Sequence, residues 1–315
     1  MPSTGFRPFE FRRRTAEAGF HWTLRLLAAA VPLLTVGLGV ELWRGSAAAR
    51  AAFGWGFLSS STWDPVFNHF GAWPFIFGTL VTTAVGVLLA APLGVGVAIF
   101  LAELAPQWLR GPVSYLVELL AAVPSVVYGL WGIFVMVPWL QQSAEVWLAG
   151  HFPGVPLFSG AAYGVGFLAA GLILALMVVP FVVGLSRQAI AAVPGAQREA
   201  AMALGATRWE AIWRVVLPSA RSGIAAGVLL AIGRALGETM AVTMLIGNRA
   251  AVSASLFAPG YTLSSVIANE FTEATSRMYT AALVEIGLVL FAITLLVNLI
   301  ARLLMARLNR GLAPA

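Results

Sequence analysis

Six stretches of this chain stay apolar for long enough to cross a hydrocarbon core of ~30 Å, a distance that takes about 20 helical residues. They fall near 22–44, 74–104, 115–139, 162–186, 223–247 and 279–305. Inside a bilayer the backbone N–H and C=O groups have no water to bond, so each stretch must close its hydrogen bonds within itself. The expected fold is therefore all-α, a polytopic membrane bundle of six transmembrane helices. Composition agrees: 60% of residues are hydrophobic and 10% charged, with a mean hydropathy of +0.88, outside the range of an ordinary soluble domain. The second stretch is longer than crossing requires and holds Pro92, which predicts a tilt or a kink. The first follows Arg12, Arg13 and Arg14 and precedes the small-residue segment SAAARAA, yet its length favours an uncleaved span over a signal peptide. The implied organisation is a tail over 1–21, a first helix over 22–44, a core over 74–305 that includes a polar loop over 187–222, and a tail over 306–315.

Orientation follows from arginine. With a cytoplasmic N-terminus, the inner segments hold Arg7, Arg12, Arg13, Arg14, Arg25, Arg110, Arg187, Arg198, Arg208, Arg214, Arg221, Arg302, Arg307 and Arg310. The outer segments hold Arg44, Arg50, Arg249 and Arg277. This asymmetry places both termini in the cytoplasm. It also accounts for the formal charge of +6 as a topology signal, so no nucleic-acid partner is expected. The outer loops are rich in aromatic residues, and Trp55, Trp63, Trp73, Trp139 and Trp147 fit an interfacial belt.

Several chemistries are excluded by what the sequence lacks. There is no cysteine, and all nineteen basic residues are arginine, which removes thiolate metal sites, P-loop lysines and Schiff-base catalysis. His21, His69 and His151 lie far apart, so no metal centre is expected. No G-x-S-x-G or H-E-x-x-H motif is present. A catalytic centre is not expected, and the chain itself is expected to bind no cofactor.

The polar loop interrupts this pattern with EAAMALGATRWEAIWRVVLP, Glu199 to Pro218. Pro194 suits the first turn of a helix and Gly205 the left-handed residue beyond its end, which predicts a short helix over 194–204. Thr207 and Glu210 form a T-x-x-E capping box, which predicts a second helix from Thr207 to Val216, ended by Pro218. On it Trp209, Ile212, Trp213 and Val216 make an apolar stripe, with Arg208, Glu210 and Arg214 opposite. An amphipathic helix lying on the inner leaflet would show the same stripe. The enforced turn at Gly205 instead suits a rigid helix–turn–helix docking in another protein's groove.

This loop resembles the EAA loop of ABC importer permeases, in which E-A-A is followed after three residues by Gly and, further on, by Ile, one residue and Leu-Pro. Glu199, Ala200, Ala201, Gly205, Leu217 and Pro218 match, and Val215 stands where Ile is usual. The resemblance implies a type I, MetI-like permease whose second loop helix couples to a separate ATPase subunit, the subunit that uses ATP and Mg.

The fifth span carries Arg234 and Glu238 in GRALGETMAVTMLIGN. Arg234 lies about 16 Å into a helix starting near Gly223, close to the bilayer midplane. An isolated charge there costs roughly 2.5 kcal/mol or more, so it must meet a partner or a wet cavity. The i,i+4 spacing allows Glu238 to pair with it, either as a packing device or as a neutralising partner for a guanidinium that receives an anion. Thr239 and Thr243 are candidate donors beside them, with Thr82, Thr83, Ser125 and Tyr128 as weaker ones. Glu103 and Glu118 are expected at the interface near Arg110.

RALGETMAVTMLIGN, with GTLVTTAVGVLLAAPLGVGVAIFLAELAP and VPSVVYGLWGIFV, resembles the C-type permease subunits of bacterial phosphate-specific ABC importers. The resemblance implies that Arg234 and Glu238 serve phosphate passage across the cytoplasmic membrane. It further implies a second homologous permease, two ATPase subunits and a periplasmic or lipid-anchored phosphate-binding protein. Permeases for sulfate, molybdate or phosphonate, or an ion-coupled secondary transporter, are the competing expectations.

Overall fold

The computed structural model describes residues 8–310, with side chains over 20–307. Helix α1 spans Pro8–Gly45 and α2 spans Ala47–Phe53. Next come α3, Trp73–Leu104, α4, Gln107–Ala122, α5, Ser125–His151, and α6, Phe167–Ala191. The loop helix α7 spans Gly195–Ala203, α8 spans Arg208–Leu236 and α9 spans Met240–Leu245. Helix α10 covers Leu263–Glu270 and α11 covers Arg277–Arg310. The all-helical expectation is met, with five helices long and apolar enough to cross a membrane and the bent pair α4–α5 as a sixth unit.

The core is built by α3 and α6, with α8 packed on α6 and α11 closing the far side of α8. Its cause is visible along α3. Gly78, Thr82, Gly86, Ala90, Gly94 and Ala98 recur every four residues and all are buried, forming a continuous ridge of small side chains that lets backbones approach closely. A Cβ at Gly86 would sit 2.9 Å from the Leu174 side chain, and one at Gly94 would sit 2.7 Å from Val182. From the other side, Gly171 on α6 receives Val85.

Three spans differ from the sequence reading. The third, expected over 115–139 as one helix, is broken at Val123–Pro124, bends by 94° and continues to His151. Proline disfavours helical backbone in the residue before it, and Val123 is extended at φ −65°, ψ 128°. The fourth starts at Phe167 and not at 162, because Gly164 (φ 71°) and Gly166 shape the chain just before it. The fifth, expected over 223–247, is continuous with the loop helix from Arg208 but breaks over 237–239 before α9. Pro92 lies inside α3 without breaking it. Of the two tails, residues 1–7 and 311–315 fall outside the described residues, and helix occupies 8–21 and 306–310.

The segment after α9 is no simple surface loop. Helix α10 re-enters the bundle with Leu263, Ser264, Ser265 and Val266 buried, and the Leu263 N–H donates to Thr79 Oγ1 at 3.0 Å. Beside it Trp63 leaves the expected interfacial belt. Its ring packs edge-on against Phe70 and Phe75 and its Nε1 donates to Glu270 Oε2 at 2.8 Å. Trp55, Trp73, Trp139 and Trp147 are exposed.

Candidate functional site

The loop is built from local signals that the backbone obeys. Gly205 takes φ +89°. Its N–H donates to Met202 O at 3.0 Å while the Ala206 N–H donates to Ala201 O at 3.1 Å, the paired bonds of a Schellman turn. Thr207 accepts from the Glu210 N–H through Oγ1 at 3.3 Å, and the Thr207 N–H donates to Glu210 Oε2 at 2.9 Å. The capping box is thus closed in both directions. These bonds from the Thr207 backbone and hydroxyl hold the Glu210 carboxyl below the usual carboxylate range. Glu210 lies in the exposed first turn, ahead of the apolar part of α8.

Two expectations for the loop need correction. Pro194 is the cap preceding α7, at φ −58°, ψ 136°, one residue outside the expected helix. Pro218 does not end the second helix. Residues Ile212–Val216 form a π-turn in which the Leu217 N–H reaches back to Ile212 O, and Pro218 then falls in the first turn of the next α segment. There its missing N–H is tolerated and helix continues into the membrane part. The stripe also divides. Ile212 and Val216 are buried against Ile99, Ile190 and Ala220, while Trp209 and Trp213 are about half exposed, at 54% and 53%, with rings meeting edge-on at 5.8 Å. Glu199, Ala200 and Pro218 are exposed, and Ala201, Val215 and Leu217 are half-buried.

Sequence reasoning missed what fastens this loop to the bundle. Arg198 on α7 pairs with Glu103 at the end of α3, its Nη2 2.7 Å and its Nε 3.0 Å from Oε1. The same guanidinium donates to Ile190 O at 2.8 Å and to Val193 O, covering the carbonyl end of α6. Arg208 donates to Glu103 O. Glu103 therefore faces the loop and not Arg110, which instead reaches Ala102 O and Ala105 O. Glu118 is exposed. No spacing in one sequence links position 103 to 198. Glu103→Gln is expected to weaken the charge-assisted pair enough to lower amide protection across α7 by about tenfold in hydrogen exchange. Unchanged protection would show that the pair does not hold the helix.

The second cluster sits at the break in the fifth span. Arg234 occupies the last turn of the long α8 segment, where a cation suits the helix dipole. Glu238 lies within the break, with its Oε1 accepting from the Ala241 N–H at 3.3 Å in the first turn of α9. Its carbonyl is held by Ser264 Oγ at 2.8 Å, a contribution from α10 that the sequence did not disclose. Arg234 Nη2 and Glu238 Oε2 are 3.5 Å apart. The expected pair forms, but between the end of a helix and the non-helical residues that follow it, and not along one helical face. Exposure is unequal: 45% for the Arg234 side chain against 4% for that of Glu238. The carboxylate is anchored and the guanidinium stands open. Thr239 and Thr243 flank the break, but their hydroxyls donate to Gly237 O at 3.3 Å and Thr239 O at 2.7 Å. Both hydroxyls are thus engaged by nearby backbone carbonyls, that of Thr243 in the i−4 bond usual for Thr in helices. Thr82 and Tyr128 likewise donate to backbone carbonyls, Gly78 O and Leu120 O.

A bundle of membrane-length helices with a broken, charged span and a projecting helix–turn–helix is the fold of an integral-membrane protein. The family described as "Binding-protein-dependent transport system inner membrane component" matches residues 94–313. The chain belongs to this family, and it is a multi-pass inner-membrane protein. "Phosphate transport system permease protein PstC" of Mesorhizobium japonicum is 48% identical over 297 residues, 93% of this chain and 91% of the relative. The protein of the same name from Pasteurella multocida is 45% identical, covering 93% of each chain. "Probable phosphate transport system permease protein PstC" of Methanocaldococcus jannaschii is 41% identical, over 75% of this chain and 76% of the relative. Among solved structures, an inward-facing MetNI methionine ABC transporter aligns at TM-score 0.57 and 17% identity, covering 78% of this chain and 99% of that one. A bacterial alginate importer aligns at TM-score 0.55 and 18% identity, covering 92% and 98%. At that identity the structures support the fold alone.

Proposed function

We propose that this chain is the permease subunit of an ATP-driven importer that carries inorganic phosphate across the cytoplasmic membrane. The observation that carries the reading is the half-exposed Arg234 guanidinium at the break of a membrane helix, loosely faced by an anchored Glu238. Relatives 41–48% identical that are named as phosphate permeases support the choice of anion. A planar guanidinium offers paired N–H donors to the oxygens of a tetrahedral oxyanion. At 3.5 Å the Arg234–Glu238 contact is longer than an optimal charge-assisted bond, so an arriving phosphate oxygen competes with the carboxylate for the same donors. When phosphate leaves, Glu238 takes the charge back, which keeps the site from holding its cargo tightly. Arg234 and Glu238 are the central pathway residues in this reading, with Thr239 in the break and Thr243 in α9 beside them.

Energy enters at the loop. Glu199, Ala200, Ala201, Gly205, Thr207, Trp209, Glu210, Ile212, Val215, Leu217 and Pro218 form the coupling segment. The exposed Trp209 and Trp213 face the cleft of an ATPase subunit, where ATP and Mg are bound. The arginine asymmetry supports a cytoplasmic position for this loop and both termini. The working assembly pairs this chain with a second homologous permease, two ATPase subunits and a periplasmic or lipid-anchored phosphate-binding protein. The chain itself is non-catalytic.

The test is phosphate uptake into proteoliposomes. Uptake is expected when this chain is reconstituted with its companion permease, ATPase and binding protein, and to vanish when the ATPase is omitted. Phosphate flux through this chain alone, driven by an ion gradient, would overturn the proposal in favour of a secondary transporter.

A further inference from the structure

A cleft of about 620 Å³ lies between the end of α1, α2 and α11, remote in sequence from both the loop and Arg234. Trp43, Arg50, Trp55 and Glu285 stand among its lining residues. From Glu285 the wall continues along α11 through Leu288, Ala292 and Ile293, about 12 Å of apolar helix at 1.5 Å per residue. The two polar groups belong to opposite signs. Glu285 is only 4% exposed, and its Oε2 has no hydrogen-bond partner. A buried carboxylate oxygen without a donor is costly, so the cleft is incomplete as it stands.

Arg50 is already oriented. Its Nε donates to Ser46 Oγ at 3.1 Å and its Nη2 to Trp43 O, while its guanidinium carbon lies 3.5 Å from the centre of the Trp43 ring. Those contacts fix the group and leave Nη1 to serve a ligand oxygen. Arg50 is not among the ion-pair partners of Glu285 within 4.0 Å, so the two charges flank the cleft without closing it. Trp43 and Trp55 are 57% and 88% exposed, the habit of tryptophan at a membrane interface.

We infer that this cleft binds one phospholipid whose headgroup carries both a phosphate and a primary ammonium, as in phosphatidylethanolamine. The phosphate meets Arg50, the ammonium donates to Glu285, and an acyl chain runs along Leu288 to Ile293. The charge order and the donor requirement select the headgroup. A choline headgroup has no N–H to give Glu285, and a glycerol headgroup brings no cation. The lipid adds a headgroup bridge between α2 and α11, which already pack against each other around Ala49, Ala282 and Ile286.

The test uses the purified full chain in detergent, with native mass spectrometry against phosphatidylethanolamine, phosphatidylcholine and phosphatidylglycerol of matched acyl chains. The wild-type chain is expected to prefer phosphatidylethanolamine by about tenfold over each of the others, the size of one charge-assisted hydrogen bond. Glu285→Gln is expected to lose that preference and Arg50→Gln to weaken all three lipids. Trp55→Phe, an exposed change that leaves the fold intact, locates the site: brominated phosphatidylethanolamine should quench tryptophan emission less in that variant than in the wild type. Equal affinity of the wild type for the ethanolamine and choline lipids overturns the assignment. So does preference retained in Glu285→Gln, or quenching that does not change in Trp55→Phe.

Discussion

Arg234→Gln is expected to lower phosphate uptake by the assembled importer about ten- to a hundredfold, with the ATPase rate changed by no more than about twofold. The range is the worth of one or two hydrogen bonds to a charged group, about 1.5–3 kcal/mol. Glutamine keeps two N–H donors on a shorter side chain but removes the charge and the fork. Because the Arg234 side chain is 45% exposed, the change should leave packing almost untouched. Glu238→Gln should behave differently. Its amide oxygen can still accept the Ala241 N–H, so the break keeps its shape, while Arg234 loses the group that competes with the cargo. Uptake is expected to fall by a smaller factor, with a lower KM and slower release. The readouts are initial uptake rates at graded phosphate concentration beside ATPase rates in the same liposomes. Normal uptake in both variants would return the pair to a packing role.

Gly205→Val should separate ATP hydrolysis from transport. A Cβ at position 205 would meet nothing within 4 Å, so crowding is not the mechanism. The cost is conformational, since φ is +89° and a β-branched residue there is strained by about 1–3 kcal/mol. Relieving the strain means opening the Schellman turn and swinging α7 away from the capping box at Thr207. The coupling segment would then present Trp209 and Trp213 at the wrong angle to the ATPase cleft. Uptake is expected to drop at least tenfold while basal ATP hydrolysis persists. Gly205→Ala, with the same lack of contact and less strain, should fall between. Wild-type uptake in Gly205→Val would remove the turn from the coupling route.

What was legible in the chain was whatever local chemistry decides. Gly205, Thr207 and Glu210 adopt the expected geometry because a left-handed turn and a capping box are settled by residues within four positions of one another. Proline was read less well, since its effect depends on the hydrogen bond it would have made. Pro218 is absorbed because the π-turn before it moves the demand for a donor, whereas Pro124 breaks a span that hydropathy alone averages into one. The break at Gly237 was hidden in the same way, under an apolar window with no proline to mark it. The pairing of Arg198 with Glu103, and the grip of Ser264 on Glu238, are tertiary contacts that no pattern along the chain encodes. The four-residue recurrence from Gly78 to Ala98 was written in the sequence, but that it faces α6 was not.

That recurrence has a mechanical corollary. Two helices in which glycines of one receive larger side chains of the other resemble meshed racks. Sliding one along the other brings a small residue of α3 opposite Leu174 or Val182 again only after four positions, about 6 Å. Any lesser slip drives Leu174 or Val182 into the α3 backbone. The α3–α6 pair therefore behaves as a single strut. Displacement applied at its Glu103 end arrives at its Trp73 end nearly undiminished, and compliance is confined to the joints at Pro124 and Gly237.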